Sequence, residues 1–355
     1  MGFEAFLGNP VVVASLREML ARDAVPGSLL FAGPDGVGKR TLATMMAKAL
    51  NCERLKDDFC GECARCVKSA GMLELSRLDL EKRRDIKDAA RRVEGLLYFD
   101  VQLIAPITRF ILTDQIRLMR TVAYTRPFEL LRRVFIIDQA QTIHWQAADL
   151  LLKVMEEPPD TTTLILVCPN AYELRPTIRS RCRRVTFAPA ENTVIENLLE
   201  TEKRVPATQV KLAARVAEGS VAAAKSFDLA AYQSLRKPWI DFLNGISTKE
   251  LRSMSAADWK VLFDSTKALS EHRSEFEATL RIGYALLQDM LRTLESPSCG
   301  GIANLDLEPR LKIWSAKLRL EGIERLKNGL DNAYRLQTRN VNQQLGWDAL
   351  ATELI

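Results

Sequence analysis

The sequence predicts an α/β domain, a parallel sheet with helices on both faces and an inserted four-cysteine module, followed by an all-helical remainder. Three observations predict it. Short apolar runs alternate with amphipathic stretches from residue 1 to about 188. One such run ends in a glycine-rich loop that opens a helix. After Pro189 the strand signals stop and helical spacing takes over.

The elements follow in order. Ser28 to Ala32 (SLLFA) reads as a buried strand, and Arg40 to Asn51 as the helix after the loop. Residues 73 to 96 are charge-dense and read as a solvated helix with no assigned chemistry. Val134 to Asp138 (VFIID) and Thr163 to Cys168 (TLILVC) are two further buried strands, and Arg184 to Phe187 is a weaker one. The helix between the two strong strands, Trp145 to Met155, is closed by Pro158-Pro159. Residues 190 to about 232 fit a small helical unit, and long amphipathic helices run from Lys237 to Ile355. There Phe276, Leu280, Gly283, Leu287, Leu291 and Leu294 recur at three- and four-residue steps. Ser296 to Gly301 is a loop, and Asn340 to Leu354 a last helix.

At 355 residues the chain is long enough for two or three domains. Its 47% hydrophobic and 27% charged content is that of a soluble globular protein. No apolar run approaches a membrane span, and Met1 to Pro10 lacks the pattern of a secretory signal, so a cytoplasmic location is expected. The net charge of +5 is compatible with contact to phosphate backbones. Yet Lys82-Arg83-Arg84, Arg91-Arg92, Arg132-Arg133 and Arg183-Arg184 are short, scattered groups without the aromatic interleaving of a single-strand binding track. With only His144 and His272, a His-rich metal centre or a His-based triad is not expected.

Cys60, Cys63 and Cys66 form a double C-x-x-C pattern, with Cys52 eight positions earlier. Four thiolates in such turns match what tetrahedral zinc requires, and Gly61 helps the backbone fold around the ion. A thioredoxin-like redox motif needs only one such pair. A closed shell leaves no position for water, so the expected zinc is structural. Cys168, Cys182 and Cys299 read as ordinary small apolar residues.

Gly33-Pro34-Asp35-Gly36-Val37-Gly38-Lys39 has the context of a phosphate-binding loop. Its glycines let backbone N–H groups turn toward phosphate oxygens, and Lys39 can reach the terminal phosphates. The next position calls for a magnesium-binding hydroxyl but holds Arg40, and a guanidinium cannot ligate a cation. Thr41 stands one residue on, rotated by about 100°. The second half of such a site is an apolar strand ending in Asp-Glu, and here the strand ends Ile136-Ile137-Asp138-Gln139. Asp138 can still hold magnesium, but Gln139 cannot take a proton from an attacking water. Nucleotide binding without efficient hydrolysis and a relic loop that binds nothing both remain open.

Taken together, the loop, the cysteine module, VFIID, LLKVMEEPPDTTTLILV and TIRSRC resemble the AAA+ clamp-loader subunits of bacterial DNA polymerase III over the first 190 residues. NVNQQLGWDALATEL resembles their last collar helix. The resemblance implies an AAA+ domain over 1–188 with a zinc module at 52–66, a helical lid over 189–232, and a helical collar and oligomerisation domain over 233–355. It also implies candidate nucleotide contacts at Gly33, Gly36, Gly38, Lys39, Thr41 and Asp138, with ATP or ADP as the ligand.

The departures resemble the delta-prime type. Active gamma/tau subunits keep the hydroxyl, the Asp-Glu pair and a lid arginine, whereas here Gly219-Ser220 is followed by Val221-Ala222-Ala223. Cys168-Pro169-Asn170 lacks the usual sensor threonines, and residues 73 to 108 look unlike typical members. The delta-prime type keeps Ser180-Arg181-Cys182, in which Arg181 serves as an arginine finger for a neighbouring subunit's ATP. The implied partners are gamma/tau and delta subunits in a hetero-oligomeric ring, the sliding clamp, and primer–template DNA through the complex. The alternatives are an active gamma/tau-type ATPase and a stand-alone zinc-thiolate redox sensor.

Overall fold

In the computed structural model, residues 2–203, 205–248, 255–271, 275–295, 301–338 and 342–352 are described. Of the features above, His272, Cys299 and most of the loop from Ser296 to Gly301 lie outside the described residues, as do parts of the last expected helix. The chain forms two compact units. One comprises residues up to Ile195 with Glu218–Ala223, the other Glu196–Ala217 with the chain from Ala224 onward. Residues 189–232, expected as one helical unit, are thus shared between the two.

The first unit holds five strands, β1 (Ser28–Ala32), β2 (Val101–Ile104), β3 (Arg133–Ile137), β4 (Thr162–Cys168) and β5 (Arg183–Thr186). Their order is β2-β3-β4-β1-β5, and every neighbouring pair is parallel. Each residue of β1, β3 and β4 is buried, which explains why these strands read as continuous apolar runs. Side chains alternate between faces. Leu29, Phe31, Val134, Ile136, Ile165 and Val167 join one core with α1 (Pro10–Ala21), α2 (Lys39–Ala49) and α3 (Ala64–Asp85). A short α4 (Ala89–Val93) follows. Leu30, Phe135, Ile137, Leu164 and Leu166 face α5 (Thr113–Ala123), α6 (Trp145–Glu156) and the single turn α7 (Pro176–Arg179).

The expectation of a solvated helix over 73–96 is corrected. α3 starts within the cysteine module and buries Leu73, Ser76, Leu80 and Arg83. Ser76 Oγ donates to the Leu103 carbonyl at 2.8 Å and accepts from the Leu103 N–H at 3.0 Å, tying α3 to the sheet-edge strand β2. Arg83 donates to the carbonyls of Arg92, Glu94 and Gly95, so a residue of the charge-dense run secures the chain after α4. A buried ion pair, Arg133 Nη2 to Asp100 Oδ1 at 2.9 Å, joins β3 to the residue before β2.

The chain leaves the first unit within α8 (Asn192–Glu202). Among the described residues, the remaining helices are α9 (Val210–Val216), α10 (Val221–Lys225), α11 (Leu229–Thr248), α12 (Ala256–Glu271), α13 (Phe276–Glu295), α14 (Glu308–Thr338) and α15 (Gln343–Thr352). A non-helical residue, Arg319, interrupts α14. Of the apolar stripe on α13, Phe276, Leu280 and Leu287 are buried, whereas Leu294 is exposed. Gly283 sits against the Trp239 indole, which donates to the Thr279 carbonyl and meets the Trp347 ring edge-on at 5.6 Å.

Candidate nucleotide and metal sites

Parallel strands deliver their following loops to one edge of a sheet, and such edges are where ligands bind in open α/β folds. The loop after β1 and Asp138 after β3 lie on that edge. Gly33, Gly36 and Gly38 hold φ of 155°, 76° and 93°, a region that favours glycine. A side chain at Gly36 would also collide with Ser220 Oγ. Ala222 donates its N–H to the Gly36 carbonyl at 3.2 Å, so residues 220–222 lie directly on the loop.

Lys39 is 6% exposed and donates to the carbonyls of Gly33 at 2.5 Å and Pro34 at 2.6 Å. Burial holds its pKa below the usual lysine value, opposed by Asp35 at 3.5 Å. Arg40 reaches Asp138, Nη1 to Oδ2, at 3.3 Å. The other carboxylate oxygen accepts the Gln139 N–H at 3.0 Å. Thr41 is exposed, and its hydroxyl makes no hydrogen bond among the described residues.

Four sulfurs form the second cluster. The Sγ atoms of Cys52, Cys60, Cys63 and Cys66 lie within 4.8 Å of one another and could hold a metal ion. The Cys52–Cys60 sulfur separation is 3.8 Å, matching the edge of about 3.8 Å for a tetrahedron with metal–sulfur bonds of about 2.3 Å. Cys60 Sγ accepts the Cys63 N–H, and Cys63 Sγ caps α3 by accepting the Cys66 N–H. Burial opposes ionisation of Cys63, yet the N–H groups of Glu53 and Cys66 and neighbouring thiols bring its pKa to about 6. Burial pushes Cys66 up to about 12. Asp58 anchors the module by accepting the N–H of Phe3 and of Phe59 and pairing with Arg17 at 2.9 Å.

Ser180, Arg181 and Cys182 follow α7. Ser180 Oγ donates to the Thr177 carbonyl, and burial pushes the Cys182 thiol up to about 12. Arg181 pairs with Glu156 and donates to the Thr177 carbonyl. Cys168 is buried at the end of β4, where burial pushes its thiol up to about 11. Sequence reasoning missed two partners, Glu156 for Arg181 and Asp138 for Arg40. No residue spacing connects positions that separate elements bring together.

Among the described residues, no helix is long and apolar enough to cross a membrane. The chain is 26% identical to "DNA polymerase III subunit gamma/tau" of Mycoplasma pneumoniae over 62% of this chain and 29% of that protein. It is 28% identical to "DNA polymerase III subunit tau" of Bacillus subtilis over 62% and 34%, respectively. The chain therefore spans about a third of the length of these curated relatives. A solved structure of a DNA polymerase III gamma subunit-related protein from Thermotoga maritima superposes over 96% of this chain and 98% of that one, at 15% identity and a TM-score of 0.45. The profile of the family described as "DNA polymerase III, delta subunit" matches residues 8–191, a span that contains the sheet, the glycine loop, the four cysteines and Arg181. Since that match covers more than half of the sequence, the chain belongs to the DNA polymerase III delta subunit family.

Proposed function

We propose that the chain is a delta-prime-type, non-hydrolysing AAA+ subunit of a DNA polymerase III clamp loader, one that lends Arg181 to a neighbouring subunit's ATP site. The observation that carries this reading is the Arg40–Asp138 pair. Hydrolysis at a phosphate loop needs a magnesium ion held by a hydroxyl and a carboxylate, with a residue that orients or deprotonates water. Here a guanidinium stands at the hydroxyl's position and contacts the carboxylate, and Gln139 follows where a base is needed. At these positions the magnesium-binding hydroxyl and the water-activating carboxylate are missing, and the remaining carboxylate, Asp138, is paired with Arg40.

Arg181 supports the other half of the reading. Its side chain is about one-third exposed, so rotation out of its own surface requires no core disruption. A guanidinium offered to a partner's phosphate stabilises charge that builds during phosphoryl transfer, an effect of about 10³–10⁵ in rate. Ser180 and Cys182 flank it in the Ser-Arg-Cys triplet. The four cysteines hold zinc in this reading, which when bound supplies a structural cross-link. Their sulfur spacing and the soft donor set favour it over a hard cation. The segment over 189–232 serves as the lid, and the helices of 233–355 as the collar that joins gamma/tau and delta subunits. The assembled ring loads the sliding clamp onto primer–template DNA in the cytoplasm.

A second reading, an active gamma/tau-type ATPase, draws support from the names of the relatives. The experiment compares ATP turnover by the purified chain with turnover by gamma/tau–delta complexes lacking it, containing it, or containing Arg181→Ala. The proposed function expects no turnover alone and a higher rate with the wild-type chain than with the variant. Brisk turnover alone, abolished by Lys39→Ala, overturns it in favour of the ATPase.

A further inference from the structure

We propose that the loop after β1 is a magnesium-independent polyphosphate site in which Arg40 takes the place of the metal. The inference rests on the proposed reading of this loop as non-hydrolysing, and it goes further by giving the loop a cation of its own in place of magnesium. In a metal-dependent loop, magnesium is held from the protein side by a hydroxyl and a carboxylate, and it bridges phosphate oxygens. In this chain the carboxylate already has its cation. Asp138 meets Arg40 at 3.3 Å through one oxygen and the Gln139 N–H at 3.0 Å through the other. A magnesium ion at Asp138 would therefore have to displace a tethered cation, while Arg40 offers it no ligand atom.

The same guanidinium can serve a phosphate. Only its Nη1 is engaged, and among the described residues Nε and Nη2 make no hydrogen bond. The Arg40 side chain is 63% exposed at the mouth of the loop. Arginine stays charged at any relevant pH and presents paired donors that fit phosphate oxygens.

The rest of the loop remains suited to an anion. The N–H groups of Gly36, Val37, Gly38 and Lys39 have no acceptor among the described residues. Successive free N–H groups at the start of an eleven-residue helix form an anion-binding concavity. Lys39 is a desolvated cation whose closest partners are the Gly33 and Pro34 carbonyls, neutral groups that a phosphate can replace. Two cations and a row of N–H donors thus converge on one loop, with the usual metal position already neutralised. The ligand class is a nucleoside di- or triphosphate.

The test is calorimetric titration of the full chain with ATP, once in EDTA and once in millimolar magnesium. We expect wild-type affinities that agree within about twofold between the two buffers, because no metal is needed; tenfold is 1.4 kcal/mol. Lys39→Ala is expected to weaken binding at least about tenfold in both. Arg40→Thr restores the hydroxyl, so its binding is expected to weaken in EDTA and recover with magnesium. In Arg40→Thr with Asp138→Asn, that recovery is expected to disappear. Circular dichroism of each variant checks that it is folded.

Absence of ATP binding by the wild-type chain in both buffers overturns the proposal, as does wild-type binding that magnesium tightens tenfold or more. So does an Arg40→Thr chain that binds as tightly as wild type in EDTA. Arg181→Ala is expected to leave all of these affinities unchanged while altering the assembled ATPase. A failed finger assay and a failed titration are therefore separate results.

Discussion

Arg181 is held by Glu156, Nη2 to Oε1, at 2.6 Å, so α6 restrains the guanidinium that follows α7. Both side chains are partly exposed, and a pair of that kind contributes only about 0–1 kcal/mol. The restraint is weak enough for a neighbouring phosphate to overcome. Arg181→Ala should leave assembly intact and lower the ATPase of the loader complex. Arg181→Lys should restore little, because a lysine lacks the planar fork. Glu156→Gln should raise the rate by no more than about fivefold, the factor that 1 kcal/mol allows. Steady-state ATPase of the reconstituted complex reads all three.

Replacing Cys63 by Ser should reduce bound zinc to well below one equivalent and lower the thermal midpoint. Metal binding contributes folding free energy. Cys63 also caps α3, but serine is itself a favoured N-cap, so the helix start is kept and the loss reports the metal site. Metal analysis with a thermal melt checks this. Full stability in rigorously metal-free wild-type protein would contradict it.

Asp100→Asn should be among the most damaging single substitutions in the first unit. The carboxylate accepts the N–H groups of Phe128, Glu129 and Leu130 and pairs with Arg133, which is wholly buried. Breaking such a pair leaves an uncompensated charge and costs about 3–5 kcal/mol.

Burial opposes ionisation of Asp100, but those N–H groups and Arg133 hold its pKa below the usual carboxylate value. A depressed carboxylate stabilises the fold above its unfolded pKa of about 4. That contribution is lost as pH falls through the lower folded value. The stability gap between wild type and Asp100→Asn should therefore be constant from pH 7 to about 5 and narrow below about 4. Urea midpoints across that range measure it.

Gly283→Ala tests the helical unit. A methyl group there would meet the Trp239 indole, which is fixed by its bond to the Thr279 carbonyl. Overpacking of a filled core costs about 1–3 kcal/mol. We expect a lower melting temperature, while Gly71→Ala, exposed within α3 with open space around it, should melt slightly above wild type, since alanine in a helix interior is favoured by about 0.5–1 kcal/mol.

The central strands were readable because both faces of β1, β3 and β4 are covered, which leaves no polar position to interrupt the apolar run. The glycine loop and the cysteines were readable because local spacing encodes them. β2 was not, since four residues at a sheet edge carry little pattern. Nor was the buried side of α3, where Ser76 and Arg83 look like surface residues until Leu103 and the carbonyls after α4 supply their partners. The Arg40–Asp138 and Arg181–Glu156 pairs escaped for a different reason. Each joins groups from separate elements, and charge alone does not say which opposite charge it will meet.

The helix that Cys63 caps has a second fixed point at Ser76, thirteen residues further on. At 1.5 Å per residue that is a strut of roughly 20 Å, clamped by sulfur at one end and by the margin of the sheet at the other. Loosening the sulfur clamp, by oxidant or by chelation of the proposed zinc, would free the strut to swing and strip β2 of its outer cover. Damage to the four thiols of the module would then be felt as unpaired strand edge, the kind of defect that invites aggregation.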